Sequence, residues 1–278
     1  MTTAAEAMVA AMARLRAAGV PDPARDARIL LAHAARVDAA RVTLIAPEDI
    51  APEIAERYDN LISLRAVRVP VSQLIGAREF YGRKFYISSN VLDPRPETET
   101  LVEAALAQPF GSLLDLGTGS GCILVTLLAE RPDARGQGVD LSEEACLQAS
   151  ANAVLHKVAG RADIRVSDWF STVEGRFDLI VANPPYLAAS EMAEAQPELR
   201  EYEPRMALTD EGDGLSAYRA IAGDAAAFLT AEGRVLAEIG WQQGAEVTAI
   251  FDAYGWADVR ILPDLGGRDR VLYASKPG

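Results

Sequence analysis

Apolar positions follow two regimes along the chain. Up to about residue 75 they recur at helical spacing. "AAEAMVAAMARLRAAG" is Ala-rich and runs into Gly19 and Pro21, a pair that commonly ends a helix. "DPARDARILLAHAARV" starts with Asp22 as N-cap and Pro23 in the first helical position, where a missing N–H costs nothing. "APEIAERYDNLISLRAVR" predicts a third helix with Ile54, Tyr58, Leu61 and Leu64 near one face. "REFYGRKFYISS" then alternates around Gly82 and predicts a β-hairpin. The extended "NVLDPRPETE" leads into a helix over "TETLVEAALAQ".

From residue 111 short apolar runs alternate with helical stretches. "SLLDLG", "RGQGVDLS", "ADIRVSDWF", "FDLIVANPPY" and "RVLAEIG" read as strands. "CILVTLLAER", "EEACLQASANAVLHKV", "GLSAYRAIAGDAAAFLTAEG" and "GAEVTAIFDAYG" read as helices. "ADVRILPDLGGRDRVLYASK" reads as two strands around a Gly-rich turn. Such alternation predicts an α/β fold, a mainly parallel sheet with helices on both faces. The final strand pair closes it with an antiparallel edge. The expected boundaries are a helical domain over 1–76, a hairpin linker over 77–91 and the α/β domain over 92–278.

Two loops carry candidate chemistry. "LLDLGTGSGC" sets Gly117, Gly119 and Gly121 between a strand and a helix, with Thr118 and Ser120 between them. Glycines there let the backbone turn sharply and approach a ligand closely. The spacing is G-x-G-x-G, not the dinucleotide G-x-G-x-x-G. Asp140 ends the next strand about twenty residues on, where such folds hold ribose hydroxyls. Together these features predict a nucleoside site, as against a Gly-rich turn with a surface Asp. At the end of the third strand Asp168 can accept from an adenine amine and Trp169 can pack on its ring. A helix cap and a core Trp is the alternative reading of that pair.

The second loop is "NPPY", residues 183–186. Two prolines end a strand because they cannot donate to its ladder. The residue types suit a planar amino group, whose nitrogen is a poor nucleophile because its lone pair is delocalised. Asn183 Oδ1 can accept one N–H, and the Pro184 carbonyl can accept the other. Tyr186 can cover the plane and favour developing positive charge. The turn resembles a motif of methyltransferases that modify planar amino groups, which implies an exocyclic base amine or a glutamine amide as acceptor. A strand-ending Pro turn with a capping Asn is the plain structural alternative.

Charge narrows the choice. Acidic residues outnumber basic ones 40 to 27 among 278, for a net charge of -13. That disfavours a broad phosphate-binding surface. Half the residues are hydrophobic, enough for a substantial core. Two cysteines, Cys122 and Cys146, make no disulfide framework and predict a reducing cytoplasm. No apolar run is long enough to span a bilayer. His33 and His156 stand apart without ligand spacing, so no metal site is expected.

"LDLGTGSGC" with Asp140 resembles the nucleoside site of class I S-adenosylmethionine methyltransferases, and "NPPY" resembles their amino-methylating motif. The likeness then extends along the chain. "LDPRPETE", "SDWF", "YEPRMAL", "GDGLSAYR", "AEIG" and "GGRDR" stand in the order of the release-factor glutamine methyltransferases, the PrmC/HemK family. This resemblance implies a seven-stranded Rossmann-like catalytic domain, joined by the hairpin to a helical substrate-recognition domain. It implies methyl transfer from S-adenosylmethionine, leaving S-adenosylhomocysteine, to N5 of the glutamine in the GGQ motif of class I peptide chain release factors. Gly117, Thr118, Gly119, Ser120, Gly121, Asp140, Asp168, Trp169 and Asn183 would hold the cofactor. Asn183, Pro184, Pro185 and Tyr186 would hold the amide. Glu97 and Thr98 would line the cofactor pocket or form an N-cap pair. Residues 187–214 would form a flap over the substrate. Asp93 stands where the family usually has Ile, and Gln73 where it often has Tyr. The rivals are an adenine-N6 nucleic-acid methyltransferase, which should carry basic patches or a target-recognition domain, and a non-catalytic nucleoside-binding module.

Overall fold

The helical periodicity of the N-terminal region becomes α1 (Ala4–Ala17), α2 (Pro23–Ala35), α3 (Val42–Ile45), α4 (Pro52–Ala66) and α5 (Val71–Ile75). A computed structural model describes residues 2–276, and the chain divides into two compact units between Ala77 and Arg78. In the first unit Thr3 and Glu6 form a reciprocal capping box on α1, and Asp22 caps α2 through the Arg25 N–H. Leu15, Leu30, Leu31, Tyr58 and Ile62 form its core. The buried face of α4 runs through Tyr58, Ile62 and Arg65, while Leu64 is 47% exposed. Of the expected stripe, Ile54, Tyr58 and Leu61 pack on the core and only Leu64 turns outward, while a charged residue joins the buried face. Asp26 explains it: its Oδ2 takes the Arg65 Nε–H at 2.7 Å, both side chains being buried. The segments α3 and α5 are too short to show a helical period.

At the division lies β1 (Ala77–Phe80), which pairs with β2 (Arg83–Tyr86) as a two-stranded sheet. Tyr81 and Gly82 both have positive φ at its turn, the twist that suits a tight hairpin. Then follow α6 (Glu99–Leu106), β3 (Ser112–Leu116), α7 (Cys122–Glu130), β4 (Arg135–Asp140), α8 (Glu143–Leu155), β5 (Ala162–Val166) and β6 (Phe177–Ala182). The rest comprises α9 (Ala189–Glu194), α10 (Pro197–Tyr202), α11 (Ser216–Asp224), β7 (Leu229–Glu238), α12 (Gly244–Ala253), β8 (Ala257–Pro263) and β9 (Asp269–Ser275).

Strands β3 to β9 form one sheet in the order β5-β4-β3-β6-β7-β9-β8, parallel except that β9 runs against both neighbours. Successive residues point to opposite faces, and both faces are covered. Leu113, Leu179 and Leu236 enter one core, while Leu114, Ile180 and Val235 enter the other. This is why the central strands read as nearly continuous apolar runs, interrupted by Asp115 on β3 and Asp178 on β6.

Several boundaries differ from the sequence reading. The helix expected through Gly233 stops at Asp224, a 3-10 turn covers Ala225–Phe228, and β7 begins at Leu229. "AAAFLTAEG" has helical composition, but Leu229 pairs with Phe177 and the ladder overrides local preference. The strand expected over "ADIRVSDWF" ends at Val166. Region 187–214 contains α9 and α10.

Candidate functional site

The strand order reverses at β3 and β6, and the crevice beyond their C-terminal ends is where an open α/β sheet takes its ligand. The glycine loop follows β3 and "NPPY" follows β6. A cavity of about 470 Å³ lies there, within the usual range for small-ligand sites. Gly117, Thr118, Gly119, Ser120, Asp140, Asp168, Trp169, Asn183 and Pro185 line it. Gly121, Pro184 and Tyr186 lie outside its wall.

The glycine loop is shaped by its own backbone. Gly117 and Gly119 have φ of 68° and 53°, and no protein atom lies within 4 Å of a Cβ built on Gly117. Their conformations favour glycine, and the space beside Gly117 is open. Gly121 does a different job. A Cβ there would stand 3.0 Å from that of Ala149, so this glycine allows the loop to pack on α8.

Asp115 anchors the loop from below. Its Oδ2 accepts from the Thr118 hydroxyl at 2.7 Å and the Leu124 N–H at 3.3 Å. Burial pushes its carboxyl up to about 7, with Asp140 adding to the rise against the pull of those two donors. Asp140 takes the Gly119 N–H at 2.9 Å on one oxygen and the Ser142 N–H at 3.0 Å on the other. Each oxygen keeps a second lone pair for a ligand hydroxyl. Asn152, absent from the sequence reading, is fully buried and donates to the Ser120 carbonyl at 2.8 Å and the Tyr86 carbonyl at 3.0 Å. It ties the loop to the hairpin.

Trp169 adopts a φ of 45°, uncommon for a bulky side chain and the kind of strain that gathers at ligand sites. Ser167 holds the turn, donating to the Trp169 carbonyl at 2.9 Å and accepting from the Thr172 N–H at 3.1 Å. Asp168 is exposed at the cavity rim.

The "NPPY" turn is held by side chains instead. Asn183 Nδ2 donates to Thr98 Oγ1 at 3.2 Å, and its Oδ1 is buried without a protein partner. No donor among the described residues takes the Pro184 carbonyl. Thr98 lines the cavity and makes no capping bond, while Glu97 is exposed and outside the lining.

Behind the turn is Glu238, 1% exposed at the end of β7. Its Oε1 is 3.5 Å from the Tyr186 hydroxyl. Burial pushes the Glu238 carboxyl up to about 7, opposed by the Thr98 hydroxyl, the Arg270 guanidinium and the Tyr186 hydroxyl. Burial also raises the Tyr186 phenol, keeping it neutral. Arg95, which lines the cavity, bridges to Glu203 at 2.5 Å, the Glu203 side chain being 1% exposed. Asp93, the departure from family pattern, is buried 3.8 Å from Arg78 Nη1. The sequence "AEIG" and "GGRDR" flagged the segments of Glu238 and Arg270 but assigned them no role.

His156 Nε2 lies 2.9 Å from the Lys84 carbonyl, and its ring packs on Phe85. Among the described residues no cluster of three or more His, Cys, Asp and Glu is arranged to hold a metal ion. No helix among them is long and apolar enough to cross a membrane.

Comparisons with known proteins give the family. The PrmC N-terminal domain model matches residues 6–76, and the Methyltransferase small domain model matches 86–212. A release factor glutamine methyltransferase from Cereibacter sphaeroides is 54% identical over 274 residues, covering 99% of each chain. This chain belongs to the release factor glutamine methyltransferases. Another member, from Rhodospirillum rubrum, is 41% identical over 95% of this chain and 82% of its own. A Pyrococcus furiosus methyltransferase structure shares the fold at 16% identity, with a TM-score of 0.54 over 72% of this chain and 91% of that one. The family membership makes the chain a methyltransferase.

The cavity suits the methyl donor that the family resemblance implies. Three buried acceptors of lining residues, Asp93 Oδ1, Ser120 Oγ and Asn183 Oδ1, lack protein partners. Its carboxylates at Asp140 and Asp168 suit hydroxyl and amine donors and a cationic ligand. Val91, Ile123, Val139, Leu141 and Trp169 supply apolar walls for a ring.

Proposed function

We propose that the protein transfers a methyl group from S-adenosylmethionine to the side-chain N5 of the glutamine in the GGQ motif of class I peptide chain release factors, modulating translation termination in the cytoplasm. The buried, unpartnered Asn183 Oδ1 carries the reading. Its amide has already spent a hydrogen on Thr98, which leaves its oxygen as an acceptor on a residue that lines the cavity. The relatives' names specify glutamine rather than adenine as the acceptor, in keeping with the net charge of -13.

In this reading Gly117 to Gly121, Asp140, Asp168, Trp169 and Asn183 hold the cofactor. Gly121 contributes through packing. When bound, S-adenosylmethionine supplies an electrophilic methyl on a sulfonium. Asn183 Oδ1 and the Pro184 carbonyl take the two amide hydrogens and aim the nitrogen, while Pro185 and Tyr186 close over the plane. Alignment of this kind supplies up to roughly 7–11 kcal/mol. The Tyr186 ring adds about 0.5–2 kcal/mol as positive charge develops on nitrogen. With the cofactor held by these residues, its methyl would pass to the nitrogen that Asn183 Oδ1 and the Pro184 carbonyl aim, the sulfur would leave as S-adenosylhomocysteine, and the amide would release its extra proton to water. Residues 1–76 serve as the release-factor recognition domain, 77–91 as linker and 92–278 as the catalytic domain.

The test is mass spectrometry of an unmodified release factor after incubation with the enzyme and labelled S-adenosylmethionine. One methylated glutamine is expected. Labelling of DNA with none on the release factor would overturn the reading.

A further inference from the structure

Gln243 occupies a position where the local rules of helix capping are broken. It is the N-cap of α12, and its carbonyl accepts the Val247 N–H at 2.9 Å. A side chain at an N-cap ordinarily satisfies a free N–H of the first turn, and short Ser, Thr, Asp or Asn do this best. Gln243 makes no such bond. Its amide turns away from the helix. Oε1 accepts the Gly240 N–H at 3.0 Å, which fixes the amide's orientation. Nε2 then donates to the Tyr186 carbonyl at 2.9 Å and points its other hydrogen at the Gly214 carbonyl, 3.5 Å away.

Those two carbonyls belong to the two ends of the flap. Tyr186 closes "NPPY" where the flap begins. Gly214 lies where it returns, at a φ of +75°. A Cβ on Gly214 would run into the Tyr186 carbonyl, so the two strands of backbone are in close apposition. Gly214 is itself held by the Asp210 carboxylate at 2.9 Å, and Leu187 N–H bonds the Leu208 carbonyl at 3.0 Å. Tyr186 is thereby pinned at two points. Glu238 faces its hydroxyl and Gln243 holds its carbonyl. Breaking a local rule without local gain marks a residue whose return lies elsewhere.

We propose that Gln243 is a positioning residue for methyl transfer: it fixes the peptide after Tyr186, and with it the ring over the acceptor amide, while clamping the two ends of the flap together. The inference rests on the acceptor role given to Tyr186 above. Gln243 is not among the residues lining the cofactor cavity. Its loss should therefore fall on turnover and leave cofactor binding alone.

The experiment uses the full chain, an unmodified release factor and labelled S-adenosylmethionine. Gln243→Ala should lower kcat about tenfold, the worth of two neutral hydrogen bonds, with S-adenosylhomocysteine affinity within about twofold of wild type. Gln243→Met keeps the volume, loses the same donor, and should match the Ala variant if lost donation is the cause. A double-mutant cycle with Tyr186→Ala separates positioning from general loosening. In the Tyr186→Ala background, Gln243→Ala should cost little more, because the ring it positions is gone. Full wild-type kcat in both Gln243 variants overturns the inference, as does a fully additive cycle. The wild-type arm is the control. If the wild-type protein itself leaves the release factor unmethylated, the functional reading falls, and with it the premise; if it methylates and the variants do so equally, only the role of Gln243 falls.

Discussion

The two halves of the site are built from different materials. The glycine-loop half is backbone: positive-φ glycines, amides bonded to Asp140, and a buried Asp115 underneath. The "NPPY" half is held by side chains: Thr98 on Asn183, Glu238 on Tyr186, and Gln243 on the Tyr186 carbonyl. A backbone cradle receives its ligand by shape. A side-chain clamp must be oriented by neighbours, and each neighbour must itself be satisfied. The first half should therefore govern cofactor affinity and the second turnover.

The sharpest way to break that division is Asn183→Ala. Turnover should fall about 10²–10³-fold, the usual loss when one preorganised hydrogen-bonding group at a reacting centre is removed. Cofactor affinity, measured by calorimetry with S-adenosylhomocysteine, should fall much less. Wild-type kcat would remove Asn183 from the chemistry. The complementary change is Asp140→Ala, expected to weaken cofactor binding about 10–100-fold, the worth of charged hydrogen bonds, with a smaller change in kcat at saturating cofactor. An unchanged dissociation constant would refute its role.

A smaller effect is expected from Tyr186→Leu, which keeps an apolar cover but loses the ring face. A cation–π contribution of about 0.5–2 kcal/mol translates into roughly a 2- to 30-fold drop in kcat. Equal rates would show that shape alone suffices there.

The remaining effect is one of stability with pH. Burial raises Glu238 from 4.5 to about 7 and Asp115 from 3.8 to about 7. Acids raised on folding favour the folded state while protonated, and that advantage is lost as pH rises through the folded pKa. Thermal midpoints should decline from about pH 4.5 to about 7, and Glu238→Gln should flatten part of the decline. A steeper decline in the variant would contradict the assignment.

What could be read in advance followed the same division. Glycine spacing, the acid at the next strand end and the Pro-Pro turn are local signals, and the structure gathers most of those residues around one cavity. The supports of the clamp are not local. Thr98 lies 85 residues before Asn183 and Glu238 lies 52 after Tyr186, so only the sheet brings them together. Gln243 was invisible because nothing in "WQQG" separates an exposed Gln from one facing inward. Helical composition concealed the start of β7, whose extended form is imposed by its partner β6. A buried Arg65 on α4 escaped a periodicity search because such a search counts apolar positions, and its partner Asp26 is on another helix.

The place of β9 has a consequence for how the protein is made. It lies between β7 and β8, although both precede it in sequence. As the chain leaves the ribosome, β8 has emerged before the strand that will join it to the sheet. Until Asp269–Ser275 follow, the apolar flank of β7 is an open edge, a template for pairing with other chains. At about 5–20 residues per second that exposure lasts on the order of seconds. A newly made molecule is then most prone to aggregate just before its sheet is finished, and Arg270, on the arriving strand, reaches Glu238 only at that moment.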